Sequence, residues 1–125
     1  MPKFFLLAGA LLGAAGVGLG AFGAHALKAS LEAAGRLDTF ETAVRYQFYH
    51  ALALVAVGIL LNQYTDAART LAWSGWAFLL GTLVFSGSLY LICFTGIRAF
   101  GAIAPLGGLG LILGWILLAW GVSRG

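Results

Sequence analysis

Charged residues are scarce in this sequence, and their scarcity decides its broad class. Asp, Glu, Lys and Arg make up only 9% of the 125 residues, while 62% are hydrophobic. An ordinary soluble domain is about 25% charged, and a soluble protein of this length exposes too much surface to hide so many apolar side chains. Lipid must therefore surround most of the chain, and we expect the lipid bilayer to be one of its partners.

The few basic residues do not form a binding patch. The formal net charge is +3, but the seven Lys and Arg residues stand singly between apolar runs. Nucleic-acid-binding proteins gather such residues on one patch or stripe, whereas single basic residues commonly flank membrane helices. We therefore expect no nucleic-acid partner.

Several groups that support membrane or redox chemistry are missing. Cys93 is the only cysteine, which excludes an intrachain disulfide and a CxxC pair. No charged residue lies near the middle of an apolar run, which disfavours a proton-coupled exporter, because such proteins need an intramembrane carboxylate or similar relay. His25 and His50 have no Cys or carboxylate near them on the apolar faces, so we predict no metal site.

Catalysis is also disfavoured. Ser86 or Ser88 is a conceivable nucleophile beside a histidine, but the sequence has no G-x-S-x-G elbow. Serines in membrane helices usually bond to their own backbone or to a neighbouring helix. We therefore expect no enzyme and no cofactor.

What the chain has in abundance is long apolar segments. Four of them can cross about 30 Å of hydrocarbon as helices. These segments are residues 4–26, 46–61, 71–94 and 103–122. The sequence thus predicts an all-α membrane protein: one domain, residues 1–125, folded as a four-transmembrane-helix bundle.

The long first connection is predicted to contain a short interfacial helix between the first two spans. Leu27, Leu31 and Ala34 recur at helical spacing, and Gly35 is the predicted end of that helix. The next helix is predicted to start at Asp38 as N-cap, with Glu41 three residues later completing a capping box.

The first span has a second interpretation. Lys3, the apolar run after it and the A-x-A sequence of residues 24–26 resemble a cleaved signal peptide. The run is longer than the usual hydrophobic region of such peptides, and its glycines follow a packing pattern, so we favour a retained helix. Basic residues number three on the terminal side and four on the connection side, a weak bias toward a cytoplasmic connection that the positive charge of the free amino terminus mostly offsets.

Glycines form two stripes at helical spacing. One stripe occupies the first span and the other the fourth: Gly9, Gly13, Gly16, Gly20 and Gly23; Gly107, Gly110, Gly114 and Gly121. Small residues let helix backbones approach closely in lipid. We expect tight packing within the bundle, with the first helix at its centre; a homo-oligomer interface is the alternative use of a stripe.

Polar residues gather on the side of the long connection. Three predicted helices supply the candidate ligand-binding residues: His25, Arg45, Tyr46, Gln47, Tyr49, His50, Ser86, Ser88 and Tyr90. Arg45 has the carboxylate of Glu41 one turn away, a spacing that predicts an ion pair which neutralises it. The cluster has two interpretations: an interhelical hydrogen-bond network that only fixes packing, or a pocket for a small molecule or lipid headgroup.

Four motifs within these segments resemble those of the domain of unknown function 423 family. They are GAFGAH at residues 20–25, YQFYHAL at 46–52, FSGSLY at 85–90 and PLGG at 105–108. The resemblance implies a multi-pass protein of bacterial inner membranes without an established activity. The resemblance also supports the interpretation of the polar cluster as a functional site, because eight of the nine candidate residues lie in these motifs.

The sequence therefore predicts an integral membrane protein of unassigned function. A polar pocket on the connection side would bind or transport a small molecule or a lipid headgroup. The alternative is a structural or assembly protein whose polar cluster only fixes helix packing.

Overall fold

The computed structural model describes residues 1–125 as five α-helices without strands. The helices are α1 (Pro2–Ala24), α2 (Lys28–Ala33), α3 (Leu37–Gln63), α4 (Ala68–Thr95) and α5 (Ala104–Arg124), and short 3-10 turns precede α4 and α5. Each of α1, α3, α4 and α5 lies in a helical segment that is long and apolar enough to span a membrane. The predicted fold class is confirmed, and α2 is the short helix predicted in the first connection.

Helix ends follow local backbone chemistry. Proline stands in the first turn of α1 and of α5, where its missing N–H costs no hydrogen bond. Gly35 and Gly96 follow the ends of α2 and α4 with φ of +69° and +76°, a left-handed conformation that favours glycine. The predicted stop at Gly35 is therefore confirmed.

The predicted start of the second long helix is wrong by two residues. Arg36, not Asp38, is the N-cap of α3, and no side chain caps the helix. Asp38 lies in the first turn, where its charge favours the positive end of the helix dipole. Glu41 does not reach back to the helix start; its carboxylate contacts Arg45.

The expectation that the first helix occupies the centre of the bundle is also wrong. Four residues of α1 are buried, against ten of α3, because α1 packs mainly against α3. Helix α5 packs mainly against α4, and α3 and α4 pack against each other. The central pair is therefore α3 and α4, with α1 and α5 outside it.

Both glycine stripes pack against helices of the same chain. A Cβ on Gly9 would lie 2.7 Å from the Ala51 carbonyl oxygen of α3, and one on Gly16 would lie 2.9 Å from Phe48. On α5, a Cβ at Gly114 would lie 2.6 Å from Phe78 of α4. The outer helices therefore approach the central pair more closely than any larger residue permits.

The apolar core lies toward the terminal side of the bundle. Phe5, Leu54, Val57, Leu71 and Phe78 are completely buried there and belong to one cluster. On the connection side, the central helices also bury four polar residues: Gln47, His50, Ser86 and Ser88. This half of the bundle contains the candidate site.

Candidate functional site

His50 connects α3 to α5 through a fully partnered imidazole. Its Nε2 accepts a hydrogen bond from Trp115 Nε1 at 3.0 Å, since an indole nitrogen can only donate. Its Nδ1 lies 2.7 Å from the Tyr46 carbonyl oxygen and therefore carries the proton that this bond requires. His50 is thus a neutral imidazole with a defined tautomer, and Trp115 determines which nitrogen is protonated.

Gln47 connects three helices. Its amide nitrogen donates to the Leu12 carbonyl oxygen of α1 at 2.8 Å, and its amide oxygen accepts from the Tyr90 hydroxyl of α4 at 2.6 Å. Only 4% of the surface of Gln47 is exposed, so water could not replace either hydrogen bond if it broke. The side chain therefore fixes α1 and α4 relative to α3.

The serines bond to backbone carbonyls. Ser86 donates to Ala43 of α3 at 2.8 Å, whereas Ser88 donates to Phe85 in its own helix at 2.9 Å. Ser74, which the sequence reading did not single out, donates to Gly114 of α5 at 2.7 Å. No buried side-chain nitrogen or oxygen lacks a hydrogen-bond partner.

The structure does not bring all nine candidates together. His25 is exposed just after α1, away from the buried groups. Arg45 is also exposed and pairs with Glu41 at 3.3 Å, as its spacing predicted. Tyr49 exposes 54% of its surface beside Tyr46. No three His, Cys, Asp or Glu side chains are grouped closely enough to hold a metal ion.

Except for Ser88, which lines neither space, the remaining candidates divide between two sides of the central helix pair. Gln47, Ser86 and Tyr90 line a small cleft of about 100 Å³ that also includes Leu12 of α1. Tyr46 and His50, with Tyr49, line a larger space on the side of α5. The sequence therefore predicted one cluster where the structure has two.

The larger space, which we call the α3–α5 groove, has a volume of about 650 Å³. Tyr46, Tyr49 and His50 of α3 form one wall, Phe85 of α4 contributes to the lining, and α5 from Pro105 to Trp115 forms the other wall. Ten residues of α-helix rise about 15 Å, so the groove reaches from the start of α5 about halfway across the hydrocarbon.

Trp115 is a site residue that the sequence patterns did not indicate. Its ring contacts Phe78 at 4.8 Å between centroids as well as the His50 ring. Tryptophan prefers the headgroup level of a membrane, and Trp115 lies instead near the middle of α5. A tryptophan so far from the interface was the available signal that its indole N–H has a partner inside the bundle.

The comparisons with known proteins decide the family. A family model described as "Protein of unknown function (DUF423)" matches residues 19–108. The chain belongs to this family. The matched range contains all nine candidate residues, whereas Trp115 lies beyond it.

The similar proteins are bacterial membrane proteins. A UPF0382 membrane protein of Staphylococcus saprophyticus is 44% identical over 98% of both chains. Others from Staphylococcus haemolyticus and Bacillus subtilis are 43% and 40% identical over 93% of this chain and 92% and 93% of theirs. No solved structure matches. Together with the four spans, these relatives confirm a multi-pass protein of a bacterial cell membrane.

Proposed function

We propose that this protein binds one amphipathic molecule, with the apolar body of its ligand in the α3–α5 groove. The observation that carries the proposal is the groove itself. Its volume of about 650 Å³ is within the range of about 300–1,000 Å³ that is typical of ligand sites. Its lining is mostly apolar, with the polar groups confined to one wall and one end.

The polar groups of the groove suit an amphipathic ligand. Tyr46 and Tyr49 expose 38% and 54% of their surfaces and lie on the connection-side half of α3. Phenol groups favour the region where hydrocarbon meets headgroups. A ligand would therefore place its polar end near these tyrosines and its apolar part along Phe85 and Ile112.

The hydrogen bonds of the two candidate serines favour ligand binding over catalysis. Ser86 and Ser88 each donate to a main-chain carbonyl, whereas a serine nucleophile needs its hydroxyl bonded to a base. The acceptor nitrogen of His50 is already bonded to Trp115. We therefore propose that the groove holds its ligand without transforming it.

Filling the groove tests this proposal. Gly108 lines the groove, and a Cβ there would lie 3.8 Å from Phe85, an ordinary contact. We expect Gly108→Leu to leave the fold intact and to reduce the lipid or other amphipathic molecule retained by the purified protein in native mass spectrometry at least threefold. Gly18→Leu is the matched control, because Gly18 has no neighbour within 4 Å of a Cβ. Equal retention by both variants would refute the proposal.

A second candidate is a structural or assembly protein, and one observation favours it. Every buried polar side-chain atom has a partner within the chain, as expected if these residues only fix helix packing. This candidate predicts that Gly108→Leu and Gly18→Leu behave alike. It also predicts that His50→Ala lowers thermal stability without changing retained molecules.

A further inference from the structure

An exposed ion pair lies at the connection-side end of α3, close to the groove. Arg45 Nη2 and Glu41 Oε2 are 3.3 Å apart. Both residues line a cleft of about 200 Å³ that α1 borders with Gly20, Gly23 and Ala24. Because these three α1 residues have little or no side chain, both charged groups remain open to a molecule beside the helices.

The ion pair has unused bonding capacity. The guanidinium makes a single hydrogen bond to the carboxylate, although it has five N–H donors. The second carboxylate oxygen has no partner within the pair, and the Arg45 and Glu41 side chains are 58% and 48% exposed. Arg45 is therefore free to bind a phosphate, and Glu41 is free to accept from an ammonium group.

The same face of α3 leads from the ion pair to the groove. Arg45 immediately precedes Tyr46 and lies one helical turn before Tyr49, so its side chain neighbours that of Tyr49. The two tyrosines contact each other, with ring centroids 5.8 Å apart, and both line the groove. A single lipid is long enough to lie across both features.

We propose that the molecule in the α3–α5 groove is a phospholipid whose headgroup carries both a phosphate and a primary ammonium, as in phosphatidylethanolamine. This inference rests on the proposed function. Arg45 binds the phosphate, Glu41 binds the ammonium, and an acyl chain crosses Tyr49 into the groove.

The chemistry of the pair makes the headgroup preference specific. A primary ammonium donates hydrogen bonds to a carboxylate, whereas the quaternary ammonium of phosphatidylcholine has no N–H to donate. The phosphatidylglycerol headgroup has a net negative charge, and Glu41 repels it. Arg45 without Glu41 would attract the phosphate of all three phospholipids and would no longer favour the lipid with a primary ammonium.

The experiment measures headgroup preference on the whole protein. The protein is reconstituted with equal amounts of phosphatidylethanolamine, phosphatidylcholine and phosphatidylglycerol that have identical acyl chains, and native mass spectrometry counts the retained lipids. We expect phosphatidylethanolamine to be retained about two to five times more than either other lipid, the upper part of the range for an exposed charge-assisted contact. Glu41→Gln should abolish this preference, and Arg45→Gln should lower retention of all three.

Lys28 and Glu32 supply the matched control. They also form an exposed pair one turn apart, at 4.0 Å, but they do not line the cleft. Lys28→Gln with Glu32→Gln should leave both retention and preference unchanged. If these substitutions changed lipid retention and headgroup preference as much as the Arg45 and Glu41 substitutions do, any surface charge would have the same effect. That result would overturn the inference.

The two proposals fail in different ways. If Gly108→Leu lowers lipid retention while Glu41→Gln leaves the preference unchanged, the groove binds lipid and the headgroup inference is wrong. If the wild-type protein retains the three lipids equally, the headgroup inference is also wrong. If Gly108→Leu has no effect, the proposed function fails whatever the headgroup preference.

Discussion

The polar side chains of the bundle interior bond mostly to backbone carbonyls rather than to one another. Ser74, Ser86 and the Gln47 amide each donate to a carbonyl of a different helix. In lipid no water replaces such a bond once it is broken, yet each bond is worth only about 0.6–2 kcal/mol. Their value therefore lies in fixing the rotation of each helix as much as in stability.

Substitution of Gln47 should show how strongly these bonds couple the helices. Gln47→Leu removes the bonds to Leu12 and Tyr90, and we expect the free energy of unfolding to fall by about 1–3 kcal/mol. Tyr90→Phe removes only one of the two bonds and should cost about 0.6–1.5 kcal/mol. Unfolding in detergent mixtures, followed by circular dichroism, measures both.

The double variant supplies the control for this prediction. Once Gln47 is leucine, Tyr90→Phe has no bond left to remove, so the combined loss should be smaller than the sum of the separate losses. Strictly additive losses would mean that the Tyr90–Gln47 contact contributes nothing.

Sequence alone identified most of the polar residues of the bundle interior but not their partners. Gln47 and His50 are three positions apart, so helical spacing places both on the inward arc of α3. Which neighbour each one faces depends on where α1 and α5 pack. That position follows from the three-dimensional fit of the helices, which spacing along one helix does not determine, so two sites were predicted as one cluster.

Among the helices, α1 shows how a glycine stripe divides into different environments. Gly9 and Gly16 face α3 across distances that allow no side chain, whereas Gly13 has no neighbour within 4 Å of a Cβ. The stripe correctly predicted close packing. It did not show that α1 packs almost entirely against a single helix, α3. The expectation of a central α1 was wrong because it assumed two neighbours.

Alanine at two glycines of the stripe should therefore have opposite effects. In Gly9→Ala the new methyl group would lie 2.7 Å from the Ala51 carbonyl oxygen, which forces α1 away from α3 and should cost about 1–3 kcal/mol of stability. Gly13→Ala meets no atom and should be neutral or stabilise the helix by up to about 1 kcal/mol. Thermal unfolding in the same detergent compares them, and equal midpoints would contradict the α1–α3 interface.

The connection between α1 and α3 is fixed at its end by Arg36. Its guanidinium donates to the Ile92 carbonyl oxygen at 3.2 Å, near the end of α4, where cations are favoured by the helix dipole. In the sequence Arg36 was only one of several scattered basic residues. Its role depends on a contact across 56 positions, which local patterns do not indicate.

For the molecule as a whole, the distribution of basic residues biases the orientation in the membrane only weakly. Lys28, Arg36, Arg45 and Arg98 lie on the connection side, and three basic residues lie on the terminal side. A difference this small leaves orientation sensitive to single charges. The four-helix fold itself does not depend on orientation, so length and hydropathy were sufficient to predict it.

Removing two connection-side charges should favour the membrane orientation in which the connection faces outward. Lys28→Gln with Arg98→Gln leaves two basic residues on that side against three on the other, so the connection should face outward in most molecules. A membrane-impermeant thiol reagent on intact cells reports the change, with Ser30→Cys as the probe in a Cys93→Ser background. Ser123→Cys, on the opposite side, should show the reverse labelling. Unchanged labelling at both positions would mean that other features fix the orientation.

Each outer helix packs against the long helix that is its neighbour in the sequence: α1 against α3, and α5 against α4. The partners of each pair are therefore consecutive long helices in synthesis: α1 and α3 are made before α4, and α5 is made directly after α4. No outer helix has its main packing partner at the far end of the chain. The order in which the ribosome makes the helices is thus an order in which they can assemble.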